Sequence, residues 1–455
     1  MDPTSAFNPQ QTQAMTTPPT IGAAPGGQVT TAMAPVRALQ ARIVPGRAAT
    51  LANGPAREPF LLELSAPGAA GLPGVAATGQ RTPLNLCLVI DRSGSMEGLP
   101  LEYVKQACAY VVDLLSPNDV LSIVTFEETV DVLMPPQRVT QKEPIKAGIA
   151  RIQAGNTTNL YDGVSLAAQQ LTQLNDPGRV SRMVVLTDGD PTAGIKDFSA
   201  LVTHAGEVKS RGISATFLGF GPEYNEELLA AMAKKAGGNY AYIARPELIP
   251  EVFRMELDKL LTVAATNLRL EVKLARWVRL RGLTGLPTPP GDREFTVPLA
   301  DLERGAVLQQ VLDLEFTNHP LGDYRVAAGR LHYDDAGTGR PESIELDFVM
   351  EFTADAARYG APLNPEVSQA HQMAQASRAV EQTIMGLKTG ALNVTQAVNE
   401  LQKTQMLLVQ DGRVQEAQEV TLAMRALQSG QAGQAEKTLM GTVVNLDQGK
   451  KSAGP

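Results

Sequence analysis

From residue 84 onward, continuous apolar runs alternate with amphipathic stretches. LNLCLVI (84–90), VLSIVTF (120–126), SRMVVLT (181–187), ISATFLGF (213–220) and NYAYI (239–243) read as strands buried on both faces. Between them, apolar residues recur at helical spacing, as in Leu101, Val104, Cys108, Val111 and Leu115. This spacing predicts helices over 101–115, 144–153, 160–174, 197–211, 225–236 and 246–261. TVDVLMP (129–135) follows its predecessor after only Glu127 and Glu128. That gap is too short for a crossover, so it predicts an antiparallel edge strand reached by a hairpin. The whole is a doubly wound, Rossmann-like α/β domain over 82–262, a fold whose ligands sit outside the carboxyl ends of the strands.

Beyond 262 the period changes. NLRLEVKL (267–274), WVRLRGL (277–283), EFTVPL (294–299), AVLQQVLDLEF (306–316), YRVAAGRLHY (324–333) and SIELDFVMEF (343–352) follow one another without helices. They predict a β-sandwich over 263–355. Two orphan strands in 31–64, VRALQARIV (36–44) and FLLEL (60–64), need a sheet to join. They are expected to complete the sandwich, with the α/β domain inserted in or flanked by it. Residues 364–447 predict an α-helical segment broken at 389–390, 411–412 and 429–433, with stripes Val380, Ile384, Leu387 and Leu401, Met406, Leu408. Its methionines read as core filler. The Pro-, Thr- and Gln-rich stretch 1–30 is expected to be a disordered tail, and the Gly/Pro/Ala-rich stretch 65–81 a linker.

Composition refines this layout. A chain of 455 residues has room for about three domains. A net charge of −8 argues against nucleic acid or an anionic membrane surface as the main partner. No apolar run reaches the length of a membrane span, and the N-terminal stretch has neither a basic nor an apolar signal region, so a cytoplasmic location is expected. Of the two cysteines, Cys87 lies in a strand and Cys108 in a helical stripe, and both read as small buried hydrophobes.

The chemistry concentrates where the first strand ends, in DRSGSM (91–96). Asp91, Ser93 and Ser95 alternate, and alternation in extended backbone sends three side chains the same way. One carboxylate and two hydroxyls thus form a cup of oxygens suited to a hard divalent cation. Two further polar turns fall on the same sheet edge, Thr158 with Asn159 in GNTTN and TDGDPTAG (187–194). A single such turn is equally well explained as a strand-to-helix cap.

Together the three turns resemble the metal-ion-dependent adhesion site of the von Willebrand factor A domain, whose form is Asp-x-Ser-x-Ser, then Thr, then Asp. The resemblance implies metal binding by Asp91, Ser93, Ser95, Thr158 and Asp188. Ser93 and Ser95 would bind directly, Thr158 in the state that holds an acidic ligand, and Asp91 and Asp188 mainly through waters. Thr158 is chosen because Asn follows it, with Thr157 the alternative; Asp190 is expected to face solvent or hold its loop. The cation is expected to be Mg²⁺, with Mn²⁺ or Ca²⁺ as alternatives. The implied partner is a protein offering an Asp or Glu carboxylate. The flanking segments resemble bacterial cytoplasmic proteins with this domain and, more distantly, inter-alpha-trypsin inhibitor heavy chains. That likeness implies a scaffold or adaptor and makes an AAA-type ATPase one candidate partner.

The competing readings are a Mg²⁺-dependent, phosphatase-like hydrolase using Asp91 and a purely structural scaffold. The first fits poorly, because Ser93 stands where an acid/base is wanted and has no suitable pKa. The four histidines are scattered, and His204 is expected at the surface. An enzyme is therefore not expected.

Overall fold

The first strands of the chain are β1 (Gln40–Pro45), β2 (Ala49–Leu51) and β3 (Ala56–Ser65). The computed structural model describes residues 39–67, 82–174, 176, 178–221, 224–284 and 293–451. The tail expected at 1–30 and residues 68–81 of the expected linker lie outside the described residues. β1 and β3 pair antiparallel from Gln40 opposite Ser65 to Pro45 opposite Phe60.

The α/β unit follows as β4 (Leu84–Asp91), α1 (Leu99–Leu114), β5 (Val120–Phe126), β6 (Val130–Arg138), α2 (Lys142–Ala150), α3 (Leu160–Gln173), β7 (Val180–Thr187), α4 (Phe198–Ser210), β8 (Ser214–Phe220), α5 (Glu226–Ala236), β9 (Gly237–Ile243) and α6 (Ile249–Leu261). Its six strands run β6-β5-β4-β7-β8-β9, all pairs parallel except β5 with the hairpin strand β6. From β4 the chain goes first to β5 on one side and later to β7 on the other. The order therefore reverses at β4, opening a crevice between the carboxyl ends of β4 and β7.

Alternation along β4 explains why the sheet is covered twice. Leu84, Leu86, Leu88 and Ile90 pack with buried residues of α1 and α6, whereas Cys87 and Val89 pack with those of α3, α4 and α5. Each such fully buried Leu or Ile contributes about 1.5–3 kcal/mol. Cys108 belongs to the α1 face, so the two cysteines lie on opposite sides of the sheet, free and buried. Burial pushes both thiols up to about 12.

The chain then continues through β10 (Val263–Leu274), β11 (Val278–Leu283), β12 (Glu294–Pro298), β13 (Leu302–Glu303), β14 (Val307–Phe316), β15 (Gly322–Asp335) and β16 (Arg340–Thr353). β3 pairs with β14 along its whole length, from Ala56 opposite Phe316 to Ser65 opposite Val307. One sheet runs β1-β3-β14-β11 and the other β12-β10-β15-β16-β2, with a shared apolar core between them. The α/β unit therefore interrupts a sandwich that begins before it. β10 starts at Val263, directly after α6, earlier than its alternation alone indicates.

After α7 (Ala356–Tyr359), four helices, α8 (Pro365–Lys388), α9 (Val394–Gln410), α10 (Val414–Gln428) and α11 (Ala432–Asp447), share a core that includes Val380, Ile384, Leu401, Leu408, Val420 and Leu439. Met406 does not join it and is 59% exposed, as is Met385. Seven residues bring Leu408 back over Leu401, but five put Met406 about 140° around the helix. β17 (Lys450–Lys451) then adds to β14 at Val307 and Leu308.

Two buried ionic clusters join these parts to the α/β unit. Asp301, between β12 and β13, accepts from Lys209 Nζ at 3.0 Å, Ser214 Oγ at 2.6 Å and the Asn267 N–H at 3.1 Å, with Arg182 Nη2 2.9 Å away. Arg182 and Ser214 stand near the starts of β7 and β8, so the sandwich docks on the amino edge of the parallel sheet. On the tail side, Lys437 Nζ donates to the Tyr224 carbonyl at 2.6 Å and Glu226 Oε2 at 2.8 Å, and it sits 4.0 Å from the Tyr224 ring centre. Lys388 reaches the same Glu226 at 2.7 Å. Both dockings leave the carboxyl ends of β4 and β7 open.

Candidate metal centre

β4 delivers Asp91 as its last residue, fully buried. The chain then turns through a short 3₁₀ turn, Gly94–Met96, whose buried Met96 holds the loop against the core before α1 begins. The Asp91 carboxylate is doubly engaged: Oδ1 accepts the Ser93 N–H at 2.8 Å and Oδ2 accepts the Thr187 hydroxyl at 2.5 Å. Ser93 Oγ and Ser95 Oγ are 3.1 Å apart, and Ser95 Oγ donates to Asp188 Oδ1 at 2.7 Å. A methyl group placed on Gly189 would lie 3.6 Å from Thr158 Oγ1 and 3.9 Å from Ser95 Oγ. Asp91, Ser93, Ser95, Thr158 and Asp188 thus gather at one end of the β4–β7 crevice.

The middle loop is held by the third. The Thr158 N–H donates to Thr192 Oγ1 at 2.8 Å, and its carbonyl accepts the N–H groups of Thr192 at 3.0 Å and Ala193 at 3.2 Å. Asn159 caps α3 by accepting the Asp162 N–H at 3.3 Å. Gly194 has φ +66°, and a Cβ there would sit 2.2 Å from Asn159 Oδ1. Gly194→Ala is therefore expected to cost about 1–2 kcal/mol from the left-handed backbone alone, with a further penalty as Asn159 is displaced. Thermal unfolding measures it, and a variant as stable as wild type would show that this contact does not hold the loop.

The alternative position, Thr157, has its Oγ1 buried without a hydrogen-bond partner, while Thr158 is itself buried beside Ser95. Asp190 is exposed. Arg92 turns away from the oxygen cup, its Nη2 3.2 Å from Glu127 Oε1 and 3.1 Å from Asp131 Oδ2.

Burial pushes the Asp91 carboxyl up to about 7; the hydrogen bonds from Thr187 and Ser93 pull the other way, and the nearby Asp188 charge adds to the rise. The groups that favour its ionised form are the Thr187 and Ser93 hydroxyls and the Ser93 N–H. Three hydroxyls and two carboxylates in one pocket, with an orphaned hydroxyl beside them, are a donor set that a hard divalent cation fits.

Sequence reasoning gave Thr187 and Thr192 no role. The strand register accounts for Thr187: Ile90 lies opposite Leu186, so the next residues along, Asp91 and Thr187, face each other. His204 is not at the surface. It is buried, with Nε2 2.9 Å from Ser165 Oγ and its ring stacked 4.4 Å from Tyr161, because α4 turns this face toward α3.

Residues 85–254 match the von Willebrand factor type A domain family. An uncharacterized protein of Synechocystis, sll0103, is 31% identical over 276 residues, covering 57% of this chain and 64% of that protein. Inter-alpha-trypsin inhibitor heavy chain H4 of Homo sapiens is 29% identical over 216 residues, covering 42% of this chain and 23% of its own length. The chain thus spans less than two thirds of these relatives. The solved structure of a von Willebrand factor type A protein from Catenulispora acidiphila superposes with a TM-score of 0.69 at 16% identity, over 84% of this chain and 89% of that one. It shares the fold across the sandwich and helices as well as the α/β unit. The interrupted sandwich of this chain therefore carries, at residues 85–254, a von Willebrand factor type A domain.

Proposed function

We propose that the chain is a metal-dependent protein-binding module, a scaffold or adaptor that captures an Asp or Glu side chain of a partner at the carboxyl ends of β4 and β7. The observation that carries this reading is the continuous run of oxygens from Ser93 Oγ through Ser95 Oγ to Asp188 Oδ1, with contacts of 3.1 and 2.7 Å. Domains of this family mediate protein–protein interactions. Ser93, Ser95 and Thr158 would supply neutral hydroxyls to the cation, with Asp91 and Asp188 orienting its waters. A Mg²⁺ held mainly by neutral oxygens keeps enough positive charge, and an open position, to attract a carboxylate. Mn²⁺ and Ca²⁺ are the alternatives. The family resemblance alone supports an AAA-type ATPase as partner, and two free buried thiols accord with a reducing, cytoplasmic setting.

The hydrolase reading loses ground on geometry. Both Asp91 oxygens are occupied by Thr187 and Ser93, and the residue is fully buried, so it cannot approach a phosphorus atom in line. The structural-scaffold reading differs from ours in one measurable respect, since it needs no metal.

Calorimetric titration of the full chain with MgCl₂ is expected to show one site. Because a proton on Asp91 competes with the cation and that carboxyl titrates at about 7, affinity should weaken as pH falls below 7, by about tenfold per unit. Absence of heat with Mg²⁺, Mn²⁺ and Ca²⁺ at pH 8 would discard the metal reading and favour the scaffold.

A further inference from the structure

A second cleft opens where the helical tail meets the α/β unit, and none of the cup residues lines it. α6 and α10 form its walls and β9 and α11 its floor, around about 600 Å³, a volume in the range of small-molecule sites. Lys259, near the end of α6, faces Gln415 and Glu419, near the start of α10. The two helices therefore run antiparallel, and the start of α6 meets the end of α10.

The lining changes character along that axis. At the Lys259 end the charges are engaged: Lys259 Nζ donates to Glu256 Oε1 at 2.8 Å, Glu256 Oε2 accepts from Asn239 Nδ2 at 2.8 Å, and Glu419 Oε2 accepts the Thr442 hydroxyl at 2.9 Å. The middle is apolar. Leu248, Val252 and Met255 follow one another at helical spacing on the α6 side, opposite Leu422 and Ala426 of α10. Leu248, Met255 and Leu422 are 37%, 37% and 57% exposed, and apolar side chains of this size gathered in one open cleft mark a binding site. At the opposite end stand Arg245 and Arg425, both exposed and neither ion-paired among the described residues.

An apolar channel that ends in satisfied polar groups on one side and two free guanidiniums on the other matches an alkyl chain with an acid at its head. Guanidinium holds a carboxylate by parallel, charge-assisted hydrogen bonds. From Leu248 to Met255 the helix advances about 10 Å, the extended length of about eight carbons. We propose that the cleft between α6 and α10 binds a medium-chain carboxylic acid, with its carboxylate at Arg245 and Arg425 and its alkyl chain against Leu248, Met255 and Leu422. The cation at the oxygen cup plays no part in this, so the two sites stand or fall separately.

Calorimetric titration of the full chain in EDTA, with straight-chain acids from butanoate to dodecanoate below their micelle concentrations, tests it. Affinity should rise about fourfold per methylene up to about eight carbons and level off beyond, where a longer chain meets the paired Glu256 and Lys259. Octyltrimethylammonium should bind about tenfold more weakly than octanoate, because its charge meets Arg245 and Arg425. Arg245→Gln combined with Arg425→Gln should lower octanoate affinity about tenfold and remove its preference over octanol. Leu422→Asp should abolish binding, and since all three side chains are exposed, thermal unfolding should show each variant folded as wild type. No binding by any of the acids, affinity still rising at dodecanoate, or octanoate bound equally well by wild type and both variants would overturn the proposal. So would a dimer in sedimentation that Leu422→Asp dissociates, because a second copy would then be what covers the cleft.

Discussion

Asp301→Ala is expected to lower the stability of the full chain by about 3–5 kcal/mol, the usual cost of deleting one member of a buried ionic cluster. In the folded protein this carboxylate takes bonds from Lys209 Nζ, Ser214 Oγ and the Asn267 N–H, with Arg182 Nη2 at ion-pair distance though not in hydrogen-bond geometry. Removing it leaves two buried cations facing each other without an anion. Burial already lowers the Lys209 ammonium below its ordinary value, so the variant should recover part of the loss at alkaline pH by releasing that proton. Asp301→Asn removes the charge at nearly constant size: its one carbonyl oxygen can keep the Asn267 N–H, while its amide donates to Ser214 Oγ.

Acid should tell the same story. Burial alone would raise the Asp301 carboxyl, but Lys209, Arg182 and the Ser214 hydroxyl outweigh it and hold the group well below the ordinary 3.8. Its stabilisation is therefore fully present above that unfolded value and is lost as pH falls through the lower folded one. Wild type should lose stability over that acidic window, and Asp301→Ala should be flatter there. Urea unfolding at neutral pH and in acid measures both. A neutral-pH change below about 1 kcal/mol would mean that the cations relax into solvent and the cluster does not hold the sandwich to the sheet.

The contrast between this cluster and the oxygen cup shows what a sequence can carry. Strand-buried runs such as 84–90 and 120–126 announce themselves because burial on both faces demands unbroken apolar residues. The cup is equally legible, since two local motifs follow strands β4 and β7 and the third opens α3 on the same sheet edge. Asp301 gives no such signal: it is one acid in a short connection, and its partners Arg182, Lys209 and Ser214 lie about ninety to one hundred and twenty residues upstream. β2, β13 and β17 are two or three residues long, too short for a period to exist. His204 looked like surface because its neighbours along α4 do not reveal that Tyr161 and Ser165 of α3 enclose it. The docking of the tail on β9 and α5 likewise rests on Glu226 meeting Lys388 and Lys437, a pairing of distant charges.

Asp91→Asn should separate metal binding from folding. Asparagine matches aspartate in size, its carbonyl can keep the Ser93 N–H, and its amide can donate to Thr187 Oγ1, which is already 3.3 Å from the Gly189 carbonyl and can turn its own proton there. The network survives with its direction reversed at one bond. What disappears is a negative charge that burial opposes, the reason the carboxyl titrates at about 7. In EDTA at pH 8 the variant is therefore expected to be at least as stable as wild type, a gain of the kind seen when a group held for function is neutralised. With Mg²⁺ the order should invert. A ligand at one hundred times its dissociation constant stabilises a fold by about 2.7 kcal/mol, and loss of an orienting group next to a metal weakens binding by about 10–100-fold. Wild type should then gain stability on adding MgCl₂ while Asp91→Asn gains little, and Ser95→Ala, which removes a hydroxyl proposed to bind the cation, should behave like Asp91→Asn. Equal Mg²⁺-induced shifts in wild type and both variants would place the cation elsewhere. A large loss of stability for Asp91→Asn in EDTA would make Asp91 a structural anchor of the β4–β7 crevice, with its charge serving the fold.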